Sequence, residues 1–200
     1  DVNVFGRTTV NLVGIENPTV LESRRIDGSA YTAEARRWTF IDQDGNLTTV
    51  SIAGPGIADV YRDIYASRQA DIHTIAIAET ARFGTALQVS VRPRKGTDNE
   101  TSIGTVTGTG ITSFYAPSSD LIGGISLSRG AHSVRLDDIR DGVNIDLGGL
   151  SGEYLFFQAD RVGNVDLTTG RYVYNLNVAS WDAGTIQGAV FRTVQTRAGG

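Results

Sequence analysis

Cysteine and methionine are both missing from this chain of 200 residues, and lysine occurs once, at Lys95. The lack of cysteine excludes disulfides, thiolate metal sites and cysteine catalysis, but leaves the compartment open. With no methionine even in first place, the Asp1 start reads as a processed chain or a piece of something longer. Histidine occurs only at His73 and His132. No run of about eighteen apolar residues is present, so no membrane-spanning helix is expected. The net charge of −4 and the pI near 5.1 argue against a nucleic-acid partner. What the chain does have is 24 glycines, only four prolines, and many Val, Ile and Thr residues within a 40% hydrophobic composition. That balance favours an all-β chain with many turns and enough apolar side chains for a continuous core.

One stretch organises the rest. Residues 111–150 read as two copies of a twenty-residue unit, in which Ile111, Phe114 and Ala116 match Ala131, Val134 and Leu136. At the same offset Ile125 and Leu127 match Ile145 and Leu147. A third copy is read after an eleven-residue insertion, with Val162, Val165 and Leu167 followed by Leu176 and Val178. The apolar-x-x-apolar-x-apolar spacing also occurs at Leu47, Val50 and Ile52, at Ile72, Ile75 and Ile77, and in a truncated form at Ile103 and Val106. Apolar residues two apart share one face of a strand, and stacked copies at about 4.8 Å would align them in ladders. A fixed period of this size marks a solenoid. The expected fold is therefore an all-β, right-handed parallel β-helix, with Gly and Asp at the corners. An antiparallel β-sandwich is the alternative and suits the N-terminal half equally well.

Two segments are expected. Residues 1–34 lack the repeat and form a β arm in which Val2, Val4, Val10 and Leu12 alternate with other residues; residues 35–200 form the solenoid. The arm packs on the solenoid edge or reaches a neighbouring subunit. Ile57 to Gln69 suits a short helix or a strand, Pro93 to Glu100 a charged flexible loop, Ile186 to Thr196 a final strand pair or cap, and residues 197–200 a frayed end.

Several of these stretches resemble a recurrent β-repeat module of large secreted bacterial surface proteins. Thr39, Phe40, Asp42, Asp44 and Gly45, followed by Thr49, Val50, Ile52, Gly54, Pro55 and Gly56, are similar to its opening. Residues 101–106, 111–121 and 142–148 resemble three further steps of it. Asn46 stands where the module has Asp. The resemblance implies a surface-exposed, non-enzymatic β-solenoid that is extracellular or attached to a cell surface.

Candidate sites follow from residue types. Asp42, Asp44 and Asn46 place oxygen ligands two apart with Gly45 for the bend, like the first half of a calcium loop, although Ala53 holds the twelfth position. The same residues equally make a hairpin turn. Asp137, Asp138 and Asp141 form a second acidic group, read as solvated turn carboxylates. His73 and His132 follow the first apolar residue of a repeat and are expected at equivalent surface positions. His132 and Ser133 are adjacent on a strand and face opposite ways, so no triad is expected. Tyr154 to Phe157 is either a bulged loop or, with Tyr172, Tyr174 and Trp181, a surface for stacking sugars. Asn46 and Asn99 fit the N-glycosylation acceptor pattern. The main functional expectation is a structural protein that assembles into filaments or layers through its open solenoid ends and the arm residues Val2, Val4, Val10 and Leu12. The alternative is a carbohydrate-binding or adhesive domain using Tyr154, Phe156, Tyr172, Tyr174 or Trp181.

Overall fold

A computed structural model describes residues 20–64, 70–81, 84–150 and 152–196. The arm residues Val2, Val4, Val10 and Leu12 and the last residues 197–200 lie outside them. Among the described residues there is no helix.

The first six strands are β1 (Val20–Asp27), β2 (Arg37–Ile41), β3 (Leu47–Ala53), β4 (Ile57–Ile64), β5 (Ile72–Ala78) and β6 (Ala86–Arg92). They form two antiparallel ladders, β1–β4–β5 and β2–β3–β6, that share one core. This is the part of the chain that the sandwich alternative describes. Of the two readings for residues 57–69, the strand is the one observed, over β4. The second half of the arm, β1, pairs within the chain along all eight of its residues. Arg62 closes this end from beneath. It is 3% exposed, lies over the Phe40 ring at 3.9 Å, donates to the carbonyls of Ile41 and Ala70, and pairs with Glu22.

From there the chain coils. The strands are β7 (Thr101–Gly108), β8 (Ile111–Tyr115), β9 (Ser119–Leu127), β10 (Ala131–Arg135), β11 (Asn144–Leu147), β12 (Tyr154–Asn164), β13 (Asp166–Thr169), β14 (Tyr172–Ala183), β15 (Ile186–Gln187), β16 (Val190–Phe191) and β17 (Val194–Thr196). Each pairs in parallel with its counterpart on the next coil, which makes a β-solenoid. One side is the series β6–β8–β10–β12–β14, and another is β5–β7–β9–β11–β13–β15. Between them a narrow side is held by the bridges Leu121↔Ile139↔Val162.

Three apolar columns fill the inside. Leu87, Phe114, Val134, Phe157, Leu176 and Val194 are register partners along the first side. Ile103, Leu121, Ile139, Val162 and Trp181 follow the narrow side. Val106, Ile125, Ile145, Leu167 and Ile186 follow the third. Apart from Val194 at the exposed end and the half-buried Trp181 and Ile186, these residues are buried. The three-residue spacing in the repeat has a local cause. At Ile103/Thr105 the register shifts by one residue, so that Ile103 and Val106 both face inward across a bend. Glycine is required at that bend. A Cβ on Gly104 would lie 2.2 Å from the His73 carbonyl oxygen, and one on Gly123 would lie 2.3 Å from that of Gly104.

The twenty-residue period holds, since Ala131 pairs with Ile111, Val134 with Phe114, Ile145 with Ile125 and Leu147 with Leu127. The third copy does not lie thirty-one residues on. Val134 pairs with Phe157 and Ile145 with Leu167, offsets of twenty-three and twenty-two. The extra residues are a corner loop of two or three positions, and the stretch read as an insertion is the solenoid strand β12. Its alternation explains this, because Leu155, Phe157 and Ala159 are buried while their neighbours face out. The repeat spacing also marks two different sheets: Ile72, Ile75 and Ile77 pair into the β5–β7 ladder, not with Ile111. Consequently His73 on β5 and His132 on β10 are not equivalent positions.

Candidate functional site

The outer surface of the β8–β10–β12–β14 side carries the most developed site. Outward positions lie in columns because the register is parallel. Tyr115, Arg135, Gln158 and Asn177 are successive partners, and beside them run Ser113, Ser133, Phe156 and Asn175. Three coil-to-coil steps of about 4.8 Å make such a column about 14 Å long. An open groove of about 290 Å³ is lined by Tyr115, Ser133, Arg135, Phe156, Gln158 and the two asparagines, together with the outer edges of the core residues Val134 and Phe157.

Aromatic rings border this groove. His132 lies 5.1 Å from Phe156, Phe156 lies 5.0 Å from Tyr174, and Tyr174 lies 5.3 Å from Tyr154. Tyr172 reaches Tyr154 at 6.2 Å, and Arg192 sits over the Tyr174 ring at 4.6 Å. Arg135 lies over the Tyr115 ring at 5.4 Å. Tyr154 and Tyr115 remain 46% and 40% exposed, so part of each side chain is accessible to a partner at the surface. The amide oxygens of Asn175 and Asn177 are buried and accept no hydrogen bond among the described residues. A buried acceptor without a donor costs about 1–3 kcal/mol.

Of the five residues expected to form a stacking surface, the structure brings together Tyr154, Phe156, Tyr172 and Tyr174. Trp181 is elsewhere: it ends the apolar column of the narrow side, and its ring N–H donates to the Ala183 carbonyl at 2.7 Å. Sequence reasoning missed Tyr115, Arg135, Gln158, Asn175 and Asn177. The twenty-residue offset between Tyr115 and Arg135 is a usable signal, because outward positions repeat with the same period as inward ones.

The turn at Asp42 to Asn46 is a closed hydrogen-bonded hairpin. Gly45 has φ of 92° and its N–H bonds the Asp42 carbonyl. One carboxylate oxygen of the fully buried Asp42 accepts from the Asn46 N–H at 2.7 Å, and the other from the Thr48 hydroxyl at 2.9 Å. The Asn46 amide donates to Asp98 and to the Glu100 carbonyl, and its oxygen accepts from Thr97. The loop read as flexible, 93–100, is thereby fastened over this turn. Asp44 has its carboxyl raised above the usual range by burial and by the charges of Asp98, Asp71 and Asp42. Asp42 and Asn46 thus have their oxygens committed to the protein itself.

A separate acidic corner follows the groove along the narrow side. Asp137, Asp138 and Asp160 each place a carboxylate oxygen within 4.8 Å of the others. Asp141, expected in this group, instead accepts from the Asn164 N–H at 2.7 Å, and Asp160 from the next coil takes its place. Arg161 binds Asp138, and Arg140 binds Asp120 at 2.7 Å. Burial, followed by Glu100, Asp138, Asp120 and Asp160, raises Asp137 to about 6. The histidines have other neighbours: His73 faces Asp63 at 3.1 Å and His132 stacks on Phe156.

Compared with protein-family models, with curated proteins and with solved structures, the chain has no match.

Proposed function

We propose that this chain is a non-enzymatic β-solenoid of the extracellular space or cell surface that binds a carbohydrate polymer along its β8–β10–β12–β14 side. The observation that carries this reading is the groove in which partly exposed aromatic side chains stand beside two buried amide oxygens lacking donors among the described residues. Sugars offer the complementary parts. Their C–H faces stack on aromatic rings, and their hydroxyls donate to amide and carbonyl acceptors. The columns run along the solenoid axis, so a linear polymer laid along it meets one side chain of each column on every coil. Native electrophoresis through gels containing soluble polysaccharides tests the reading. Retardation by at least one polymer, lost in the Tyr115→Ala, Phe156→Ala double variant, is the expected result. No retardation across neutral and acidic polymers would overturn it.

A second reading, assembly into a filament or layer, is favoured by a different observation. On the last described coil Val190, Phe191 and Val194 are 51%, 43% and 58% exposed, and among the described residues β16 and β17 each pair on one side only, with β14. Such an edge accepts further strands, from another copy or from continuing chain. Light scattering across a concentration series checks it: growth in mass that disappears in Val194→Asp supports assembly, and a constant monomer mass contradicts it. Truncation of residues 1–19 in the same assay tests the role of Val2, Val4, Val10 and Leu12.

A further inference from the structure

We infer that the acidic corner of the narrow side is a site for a hard divalent cation, held by Asp137, Asp138 and Asp160 with Asp120 contributing from the coil before. Two independent observations meet here. The first is geometric: three carboxylates from two adjacent coils converge within 4.8 Å. The backbone fixes that convergence, because the Asp160 N–H bonds the Asp137 carbonyl at 2.7 Å and holds the two corners one coil apart.

The second observation is a pair of buried polar groups on the preceding coil. Asp120 is 5% exposed, and while one oxygen binds Arg140, its Oδ1 has no partner among the described residues. Ser119, wholly buried, likewise has a hydroxyl without a partner. Both lie beside the cluster. The Ser119 carbonyl accepts from the Asp137 N–H at 3.1 Å, and the Leu121 N–H donates to the Asp138 carbonyl at 2.9 Å. Leu121 and Ile139 are bridge partners facing the core, so Asp120 and Asp138, each one residue earlier, stand in the same outward column. A buried carboxylate oxygen left without a donor, one coil from three more carboxylates, is an arrangement that a cation relieves and that water alone satisfies poorly.

The donor set is oxygen only. That selects calcium or magnesium over softer metals, and carboxylates drawn from separate coils suit calcium's variable geometry better than magnesium's strict octahedron. Two arginines compete for the same oxygens: Arg161 at Asp138 and Arg140 at Asp120. Their presence predicts a weak site, in the range of extracellular calcium modules. Binding would also tie neighbouring coils together through their shared corner.

The experiment is calorimetric titration of the full chain, freed of metal, with calcium chloride and separately with magnesium chloride at pH 6. Saturable calcium binding, weakened at least tenfold in Asp137→Asn with Asp160→Asn, is the expected outcome. Arg161→Gln removes a competing cation and is expected to tighten calcium binding severalfold, a gain that mere unfolding does not mimic. Absence of saturable heat up to 10 mM, by design of the titration roughly ten times the weak limit of such modules, overturns the proposal. Equal affinity in wild type and the double Asn variant, with circular dichroism showing both folded, overturns it as well.

Discussion

Asp137 shows how a single side chain couples the corner to solution conditions. Its carboxyl is raised from the ordinary aspartate value to about 6, first by burial and then by four like charges. The folded state therefore holds the proton more tightly than the unfolded chain. The resulting stability is complete below about pH 4, and it is lost as pH rises through about 6. Asp44 and Glu100 are raised by the same causes and act in the same direction. In chelator, Asp137→Asn is expected to flatten the decline in urea midpoint between pH 4 and 6 and to be more stable than wild type at pH 7. An unchanged slope in the variant would contradict this account. Phe156 and Phe157 make a second test at this scale. Phe157 is 1% exposed and sits in the first apolar column, so Phe157→Ala should lose about 3–5 kcal/mol by urea unfolding. Phe156 faces out against His132 and Tyr174, and its replacement by Ala should cost about 1 kcal/mol or less, in line with an aromatic pair on a surface. Nothing in the residue types separated the two phenylalanines. Only the strand register, which assigns them to opposite faces, does so.

Among the elements, the corners decide what the strands can do. The bend at Gly104 and Gly123 lets Ile103 and Val106, and then Leu121 and Ile125, face inward on two sides of one coil. Gly123→Ala brings a Cβ against the Gly104 backbone, and the loss should be about 1–3 kcal/mol of unfolding free energy. Gly142→Ala has no atom within 4 Å of the new Cβ, so crowding adds nothing there and only its φ of 77° opposes the change. A comparison of the two midpoints separates close packing from backbone conformation. At this scale the sequence was most informative where the repeat is unbroken. The pairs Phe114↔Val134 and Ile145↔Ile125 follow from the twenty-residue offset alone. It failed at the third copy because the corner between β11 and β12 is longer by two or three residues, and an added residue shifts the phase without altering the strands. The acidic group was misjudged for a related reason: Asp160 joins Asp137 and Asp138 from the next coil, a neighbour that the linear sequence hides.

As a whole, the molecule is a stack whose two kinds of surface are laid out along its length. Parallel register turns one outward position per coil into a column. Tyr115, Arg135, Gln158 and Asn177 thus form one recognition strip, with Phe156 and Asn175 on its neighbour. The acidic corner runs beside it, built from Asp137 and Asp138 just after β10 and from Asp160 within β12. The first six strands differ, since among the described residues their antiparallel pairing caps the N-terminal side of the coils and buries Ile26 of β1 and Trp38 and Phe40 of β2. That cap was legible only as strand periodicity, because antiparallel and parallel partners leave the same alternation in a sequence. The central claim concerns the recognition strip, and amide hydrogen exchange of the intact chain with and without a polysaccharide that retards it tests that claim most directly. Added protection confined to β8, β10, β12 and β14, and absent in the Tyr115→Ala, Phe156→Ala variant, is the result the account predicts. Protection located instead on the final strands around Val190 to Val194, or no change at saturating polymer, would contradict it.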